Sequence, residues 1–356
     1  MKIFVIPREN NNPYQSILYK EMESLGVQVE YGCALTPSET LNQLLLPLET
    51  LARRITGTRL AHIHWTYGFE VYGSSRYPFL RTASQALFYL WLWTVRISGM
   101  RLVWTAHNVL PIGARFVDDI EARRRLVAAS DLVIAHSGAT LAELAELGIV
   151  PRKSVVIPHG PYQVVNEQEH ARVPVPTSGP RKFLFFGMVS EYKGIDTLLA
   201  AFAALPLGLE AELAVVGECR EPALEASLRE LARRSTQRVE LRLERVPEAE
   251  VSELLAGADA MVLPYRQSTT SGSALLALSH GRPLIVPDLP GLAELPDEAV
   301  MRYDRTVGGL TNALADVVNA DDGVLAKMSS AGYAYCASLS WESIARKTLD
   351  EMNQTL

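Results

Sequence analysis

The sequence predicts an α/β protein of two doubly wound domains, each a parallel sheet with helices on both faces. Three observations carry this. Short β-branched runs alternate with longer helical patterns along the chain. The alternation breaks at His159–Pro180, where Pro161, Pro174, Pro176 and Pro180 mark a connector. The length, 356 residues, is long for one core and suits two domains of roughly 150–200 residues. The domains expected are 1–160, 161–339 and a terminal helix at 340–356.

In the first half, Lys2–Ile6, Leu60–Trp65, Leu102–Ala106, Asp131–Ala135 and Ser154–Ile157 read as strands. Asn12–Gly26, Phe79–Ile97, Asp118–Ala129 and Ser137–Leu147 read as helices, the last with a Ser cap and Gly148 after it. Alternation resumes with strands at Lys182–Phe186, Ala211–Val216, Val239–Leu243, Ala260–Leu263 and Pro283–Val286. Helices are expected at Gly194–Ala204, Glu221–Arg234, Pro247–Ala256 and Ser271–Ser279, and over most of the remainder. Ligands of such sheets sit at the carboxyl ends of the strands, here expected to face a cleft between domains.

Composition narrows the function. Cys33, Cys219 and Cys336 lack CxxC spacing, which argues against a disulfide framework or a Cys-based zinc site and fits a reducing compartment. MKIFVIPREN reads as a first strand rather than a signal peptide, so a cytoplasmic chain is expected. Residues 1–160 hold 16 Lys+Arg and 13 Asp+Glu, and residues 161–356 hold 18 and 27, which suggests a different partner for each half. No nucleic-acid partner is expected. The longest apolar run, Ala86–Val95, is ten residues, against about 20 for a bilayer span. Flanked by Arg76, Arg81, Arg96 and Arg101, it fits either a buried helix or an element resting on a membrane surface. No GxGxxG opens either half, which disfavours an oxidoreductase.

The most informative stretch is Val262–Asp288. A buried strand ends there, and Ser271-Gly272-Ser273 opens an apolar helix. Free N–H groups and the helix dipole at such a turn suit a phosphate, though a plain helix cap has the same signature.

FFGMVSEYKG (Phe185–Gly194), AVVGE (Ala214–Glu218), LLAGADAMVLPY (Leu254–Tyr265) and SGSALLALSHGRPLI follow in order. Together they resemble the GT-B glycosyltransferases, which use sugar nucleotides. SWESIARKTLDEM (Ser340–Met352) is similar to the helix that crosses back onto the N-terminal domain in that fold. With NPYQSILYKEM, HIHW and WTAHN added, the chain resembles bacterial exopolysaccharide glycosyltransferases of the xanthan type, inverting and membrane-associated β-mannosyltransferases among them. The resemblance implies an acceptor-binding N-terminal domain, a nucleotide-sugar-binding C-terminal domain, a GDP- or UDP-linked donor and a glycan or lipid-linked glycan acceptor. It also implies work at the inner face of the plasma membrane. Common retaining relatives have two Glu where Ser268 and Leu276 stand and an Arg at Met188, so the retaining chemistry is not expected.

Cleaving a sugar–diphosphate bond leaves negative charge on the diphosphate. Lys193, after Gly187 and before a helix, is the leading candidate to stabilise it, with Ser271, Gly272 and Ser273 as a second grip. The chain has no Asp-x-Asp, so neither a metal nor a cofactor is expected. Gly217, Glu218 and Tyr265 end strands and could position base or ribose; Arg266 and Gln267 could bind phosphate or sugar hydroxyls. Inversion requires a general base for the acceptor hydroxyl. His64, His107, Glu70, Asp118 and Asp119 are the candidates, with Asp119 and Glu70 favoured. His62 and His64 share a strand face. The acid that the family carries after WTxHN is replaced by Pro111-Ile112-Gly113. Asn10, Asn11, Asn12 and Asn108 are candidate partners for sugar hydroxyls, with Tyr14 stacking on a sugar ring. His159-Gly160 is either a hinge or a donor contact. Two other readings stay open: an epimerase-like enzyme on the same architecture, and a non-catalytic sugar-nucleotide-binding subunit.

Overall fold

The computed structural model describes residues 1–9, 12–74, 77–111, 113–161, 179–268 and 271–356. Asn10, Asn11, Arg76, Ile112, Pro174 and Pro176, named above, lie outside the described residues. Two compact units emerge: Met1–Gly160 with Ser340–Leu356, and Pro161–Leu339.

In the first unit, strands β1 (Lys2–Ile6), β2 (Gln28–Tyr31), β3 (Leu60–Ile63), β4 (Arg101–Ala106), β5 (Leu132–Ala135) and β6 (Ser154–Val156) form a six-stranded sheet of order β2-β1-β3-β4-β5-β6. Every pairing is parallel. Parallel strands need crossovers, supplied by α1 (Pro13–Ser24), α2 (Glu39–Ile55), α3 (Leu80–Ser98), α4 (Asp119–Ala129) and α5 (Gly138–Glu146). Side chains of Asn12, Ser38, Asp118 and Ser137 cap four of these helices, each cap worth about 1 kcal/mol. Phe4, Ile6, Phe88, Trp91 and Trp104 anchor the core.

In the second unit, β7 (Arg181–Phe186), β8 (Ala211–Val216), β9 (Arg238–Arg242), β10 (Ala260–Val262), β11 (Leu284–Pro287) and β12 (Val300–Tyr303) form a sheet of order β12-β11-β10-β7-β8-β9. These pairings are parallel too. Helices α6 (Ile195–Ala203), α7 (Pro222–Ala232), α8 (Glu248–Ala256), α9 (Gly272–Ser279), α10 (Val307–Asn319) and α11 (Asp322–Ser338) accompany it. Phe183, Phe185, Phe202, Leu263 and Leu278 lie in its core. The last helix, α12 (Trp341–Asn353), belongs to the first unit and packs on α1.

Both units are thus Rossmann-like. Alternation in the sequence does not reveal β2, α2 or β12. The two strands are four-residue edge strands, partly exposed along most or half of their length, so they lack the buried apolar run that marks a central strand.

Candidate functional site

In the second unit the strand order reverses between β7 and β10. Open α/β sheets bind ligands beyond the carboxyl ends of the strands at such a reversal. After β7 come Gly187, Ser190 and a helical turn, Glu191–Lys193. After β10 come Tyr265 and Ser271, which caps α9. Lys193 Nζ lies 3.9 Å from the centre of the Tyr265 ring and 4.9 Å from that of Tyr192. The Ser271 hydroxyl donates to the Tyr265 oxygen at 3.2 Å and accepts from Ala274 N–H at 3.1 Å. A Cβ on Gly187 would lie 3.2 Å from Ser273 Oγ. Gly187, Lys193, Tyr265, Ser271 and Ser273 therefore converge, with Gly272 in the first turn of α9.

The electrostatics favour a cation here. Burial pushes the Lys193 ammonium down, but Tyr265 and Tyr192 outweigh it and the net shift is upward. Burial likewise pushes Tyr265 up, and Lys193 overrides it downward. The Ser190 hydroxyl, missed by the sequence reading, is buried beside this group and has no hydrogen-bond partner among the described residues. An unpaired buried hydroxyl costs about 1–3 kcal/mol, which a ligand oxygen would relieve.

Two glycines make the geometry possible. A Cβ on Gly217 would stand 1.9 Å from the Gly187 carbonyl oxygen, and one on Gly194 would stand 2.0 Å from that of Pro264. Their φ values, 146° and 68°, also suit glycine. Arg266 requires a correction. It pairs with Asp196 at 2.5 Å and donates to the Glu191 carbonyl at 3.0 Å, so it braces the Glu191–Lys193 turn instead of facing a ligand. Glu218 pairs with Arg220 at 2.9 Å, which holds its carboxyl below the usual range. Gln267 is exposed.

The first unit holds a cavity of about 950 Å³ beyond β1 and β3, again where the strand order turns. Arg8, Glu9, Glu70, Arg115, Tyr72 and Tyr77 line it. Glu70 pairs with Arg115 and accepts from the Ser74 hydroxyl at 3.0 Å. Asp119 does not line the cavity. Its carboxylate accepts the N–H groups of Arg115 and Phe116 and so fixes the loop that carries Arg115. Asp118 is the N-cap of α4.

His64 and His107 belong to a buried chain of hydrogen bonds whose direction is determined. His136 Nδ1 faces the Ile157 carbonyl at 3.0 Å and must donate. The neutral ring then accepts at Nε2 from His107 Nδ1–H at 3.2 Å, and His107 Nε2 accepts from His64 Nδ1–H at 3.1 Å. His64 Nε2 accepts from the Tyr19 hydroxyl at 2.7 Å, Tyr19 accepts from His62 Nδ1–H at 2.6 Å, and His62 Nε2 accepts from Thr105 at 2.7 Å. Both ring nitrogens of His64 and of His107 are occupied, so neither is available as a general base. Burial drives His62 down to about 3 and His136 to about 4, and His64 and His107 well below their usual range. His159 completes the cluster, its Nδ1–H donating to Gly160 O at 2.6 Å.

Tyr14 is the other correction. Its ring is 2% exposed and packs against His64, His107, His136, His159 and Trp341. It closes the histidine cluster and does not offer a face to a sugar. Asn12 caps α1, accepting from Tyr14 N–H at 2.9 Å. Asn108 is half-buried after β4.

Comparison with known proteins gives a consistent result. The model of Glycosyltransferase Family 4 matches residues 18–161, and that of Glycosyl transferases group 1 matches residues 180–320. A GDP-mannose:glycolipid 4-beta-D-mannosyltransferase from Xanthomonas campestris is 25% identical over 292 residues, covering 82% of this chain and 74% of that protein. Sucrose-phosphate synthase from Thermosynechococcus elongatus superposes with a TM-score of 0.72 at 18% identity, over 99% of this chain and 98% of the other. Anabaena HepE in complex with UDP superposes with a TM-score of 0.68 at 16% identity, over 99% of each chain.

Proposed function

Since the chain is a glycosyltransferase of the GT-B fold, we propose that it moves a sugar from a nucleotide-diphosphate donor to a lipid-diphosphate-linked glycan, with inversion and without a metal. The observation that carries this reading is the convergence of Gly187, Ser190, Lys193, Tyr265, Ser271 and Ser273 at the β7/β10 reversal. There the diphosphate lies on the first N–H groups of α9, beside Lys193. These groups take up the charge that develops on the leaving nucleotide, the role a divalent cation plays elsewhere. Gly217 and Glu218 border the nucleotide end. Mannose, carried on GDP, is the sugar we favour, because the Xanthomonas relative is named for GDP-mannose; UDP is the alternative, as bound to HepE.

The acceptor occupies the cavity of the first unit. Arg8 and Arg115 suit its diphosphate, and Tyr72 and Tyr77 suit its sugar rings. Glu70 is the general base, because it alone of the favoured carboxylates lines that cavity; Asp119 positions Arg115. A lipid-linked acceptor puts the enzyme at a membrane surface, on the cytoplasmic side where nucleotide sugars are made. Among the described residues no helix is long and apolar enough to cross a membrane. Contact instead falls to Leu44, Leu48 and Ile55 of α2 and Leu90, Trp93 and Ile97 of α3, all exposed.

Calorimetry with GDP and UDP in the presence of EDTA tests the donor half. One nucleotide should bind, and Lys193→Ala should weaken it by roughly 2 kcal/mol, or about thirtyfold, as expected for a charge-assisted contact. Binding that needs added Mn²⁺, or that ignores Lys193, would remove the proposed mechanism.

A further inference from the structure

Residues 107–118 join β4 to α4 and bring Arg115 to the wall of the first unit's cavity. The helix that follows holds them. Asp119, its first residue, accepts the N–H groups of Arg115 and Phe116. Arg123, one turn later, donates through Nε to the Val109 carbonyl. Residues four apart lie on one face of a helix. That face of α4 therefore takes the near end of the segment by a carbonyl and the far end by two N–H groups, with a cation for the first and an anion for the second. The Gln85 side-chain oxygen accepts from the N–H groups of Val117 and Asp118 at 2.9 and 3.0 Å and fixes the last residues.

Arg123 is poorly compensated where it stands. It is 4% exposed. Its guanidinium lies 4.4 Å from the centre of the Trp104 ring. Among the described residues it makes no ion pair, and its Nη1 is buried with no hydrogen-bond partner. Burial pushes the guanidinium down to about 10, and Asp119 offsets only part of that. A buried cation without a paired carboxylate loses more in hydration than one carbonyl and one ring face return. An apolar side chain of similar length would fill the same space without that loss. Stability alone thus does not call for arginine here.

What the arginine does fix is the place of Arg115. Arg115 pairs with one oxygen of Glu70, and the other accepts from the Ser74 hydroxyl at 3.0 Å. A general base must present a lone pair within hydrogen-bond reach of the hydroxyl it deprotonates. A misplacement of about 1 Å can cost on the order of a hundredfold in rate. Without Arg123 the Val109 carbonyl is released, and the segment that carries Arg115 is held from its far end.

We infer that Arg123 is a positioning residue of the transfer reaction: by holding the Val109 carbonyl it sets the place of Arg115 and, through Arg115, of Glu70. The inference rests on the reading of Glu70 as the base and of the cavity as the acceptor site. Arg123→Met, similar in length and apolar, tests it. Turnover at saturating donor and acceptor should fall about 10–100-fold, and KM for the acceptor should rise. Nucleotide affinity in calorimetry should stay that of wild type, because the donor loops belong to the other unit. The unfolding midpoint, followed by tryptophan fluorescence, should equal or exceed that of wild type, because the buried charge is gone. In an Arg115→Ala background the same substitution should cost no more than about threefold, since Arg123 acts through Arg115. Arg123→Lys keeps a donor for the carbonyl and should restore most of the turnover.

Wild-type turnover in Arg123→Met would overturn the inference and leave the transferase reading standing. So would an undiminished loss in the Arg115→Ala background, or no recovery in Arg123→Lys. A midpoint lowered in step with turnover would make Arg123 a core residue only. If wild type itself transfers no sugar, the reading of the site falls and the inference with it.

Discussion

Among single residues, the histidine chain has the sharpest consequence. His62, His136 and His159 titrate near 3, 4 and 3 in the folded unit, and His64 and His107 are also lowered, all chiefly by burial. An unfolded histidine titrates near 6.5. As pH falls below about 6.5 the unfolded chain takes up protons that the folded unit refuses, so stability falls. The slope reaches about 1.4 kcal/mol per pH unit for each histidine, and the loss levels off below the folded values. All five tryptophans lie in this unit, so their fluorescence reports its unfolding alone. The midpoint should drop steeply between pH 6.5 and 5; a flat profile would mean that the cluster is not closed. Glu70→Gln should lower turnover by about 10²–10⁴-fold with nucleotide binding intact, and Asp119→Asn by less; equal losses in turnover would deny Glu70 its role. The sequence made His62 and His64 legible as one strand face and His107 as a strand end. It could not reveal that three strands and a linker bring five imidazoles together, because cross-strand contacts leave no trace in local spacing. For the same reason Tyr14 reads as a loop platform, whereas α12 covers it through Trp341.

At the scale of elements, the turn Glu191–Lys193 and the cap of α9 work as a pair. Arg266 N–H donates to the Tyr192 carbonyl at 2.9 Å, tying the segment after β10 to the turn after β7. Gly194→Ala would force a Cβ against the Pro264 carbonyl and an unfavourable φ. It should cost about 1–3 kcal/mol and abolish nucleotide binding in calorimetry, whereas Gly208→Ala, which carries a comparable φ strain (φ 96°) but meets open space at the Cβ position, should keep it. The donor loops were legible because strand, Gly, Lys and helix follow each other closely in sequence. Helix α2 was not legible, since its polar face points inward. Asn42 bonds to Cys33 and Thr36 and Gln43 bonds to Gly68 and Glu70, and these four partners line the cavity beyond β1 and β3. A hydrophobic pattern read for burial assigns such a helix the wrong face.

For the whole molecule, the β–α alternation disclosed both Rossmann-like units, and the order of four weak motifs pointed to the family. What the sequence lacked was the floor of each site: Ser190, Arg8 and Glu9 became candidates only through position. The proposed reaction is sugar transfer with inversion to a lipid-diphosphate glycan. The most direct measurement incubates the purified chain, with EDTA, with GDP-mannose or UDP-glucose and a polyprenyl-diphosphate oligosaccharide, and reads the anomeric configuration of the product by NMR. Inverting transfer releases one nucleoside diphosphate per β-linked sugar added from the α-linked donor. An α-linked product would contradict it, as would a nucleotide sugar epimerised without transfer, or no reaction unless a divalent metal is supplied.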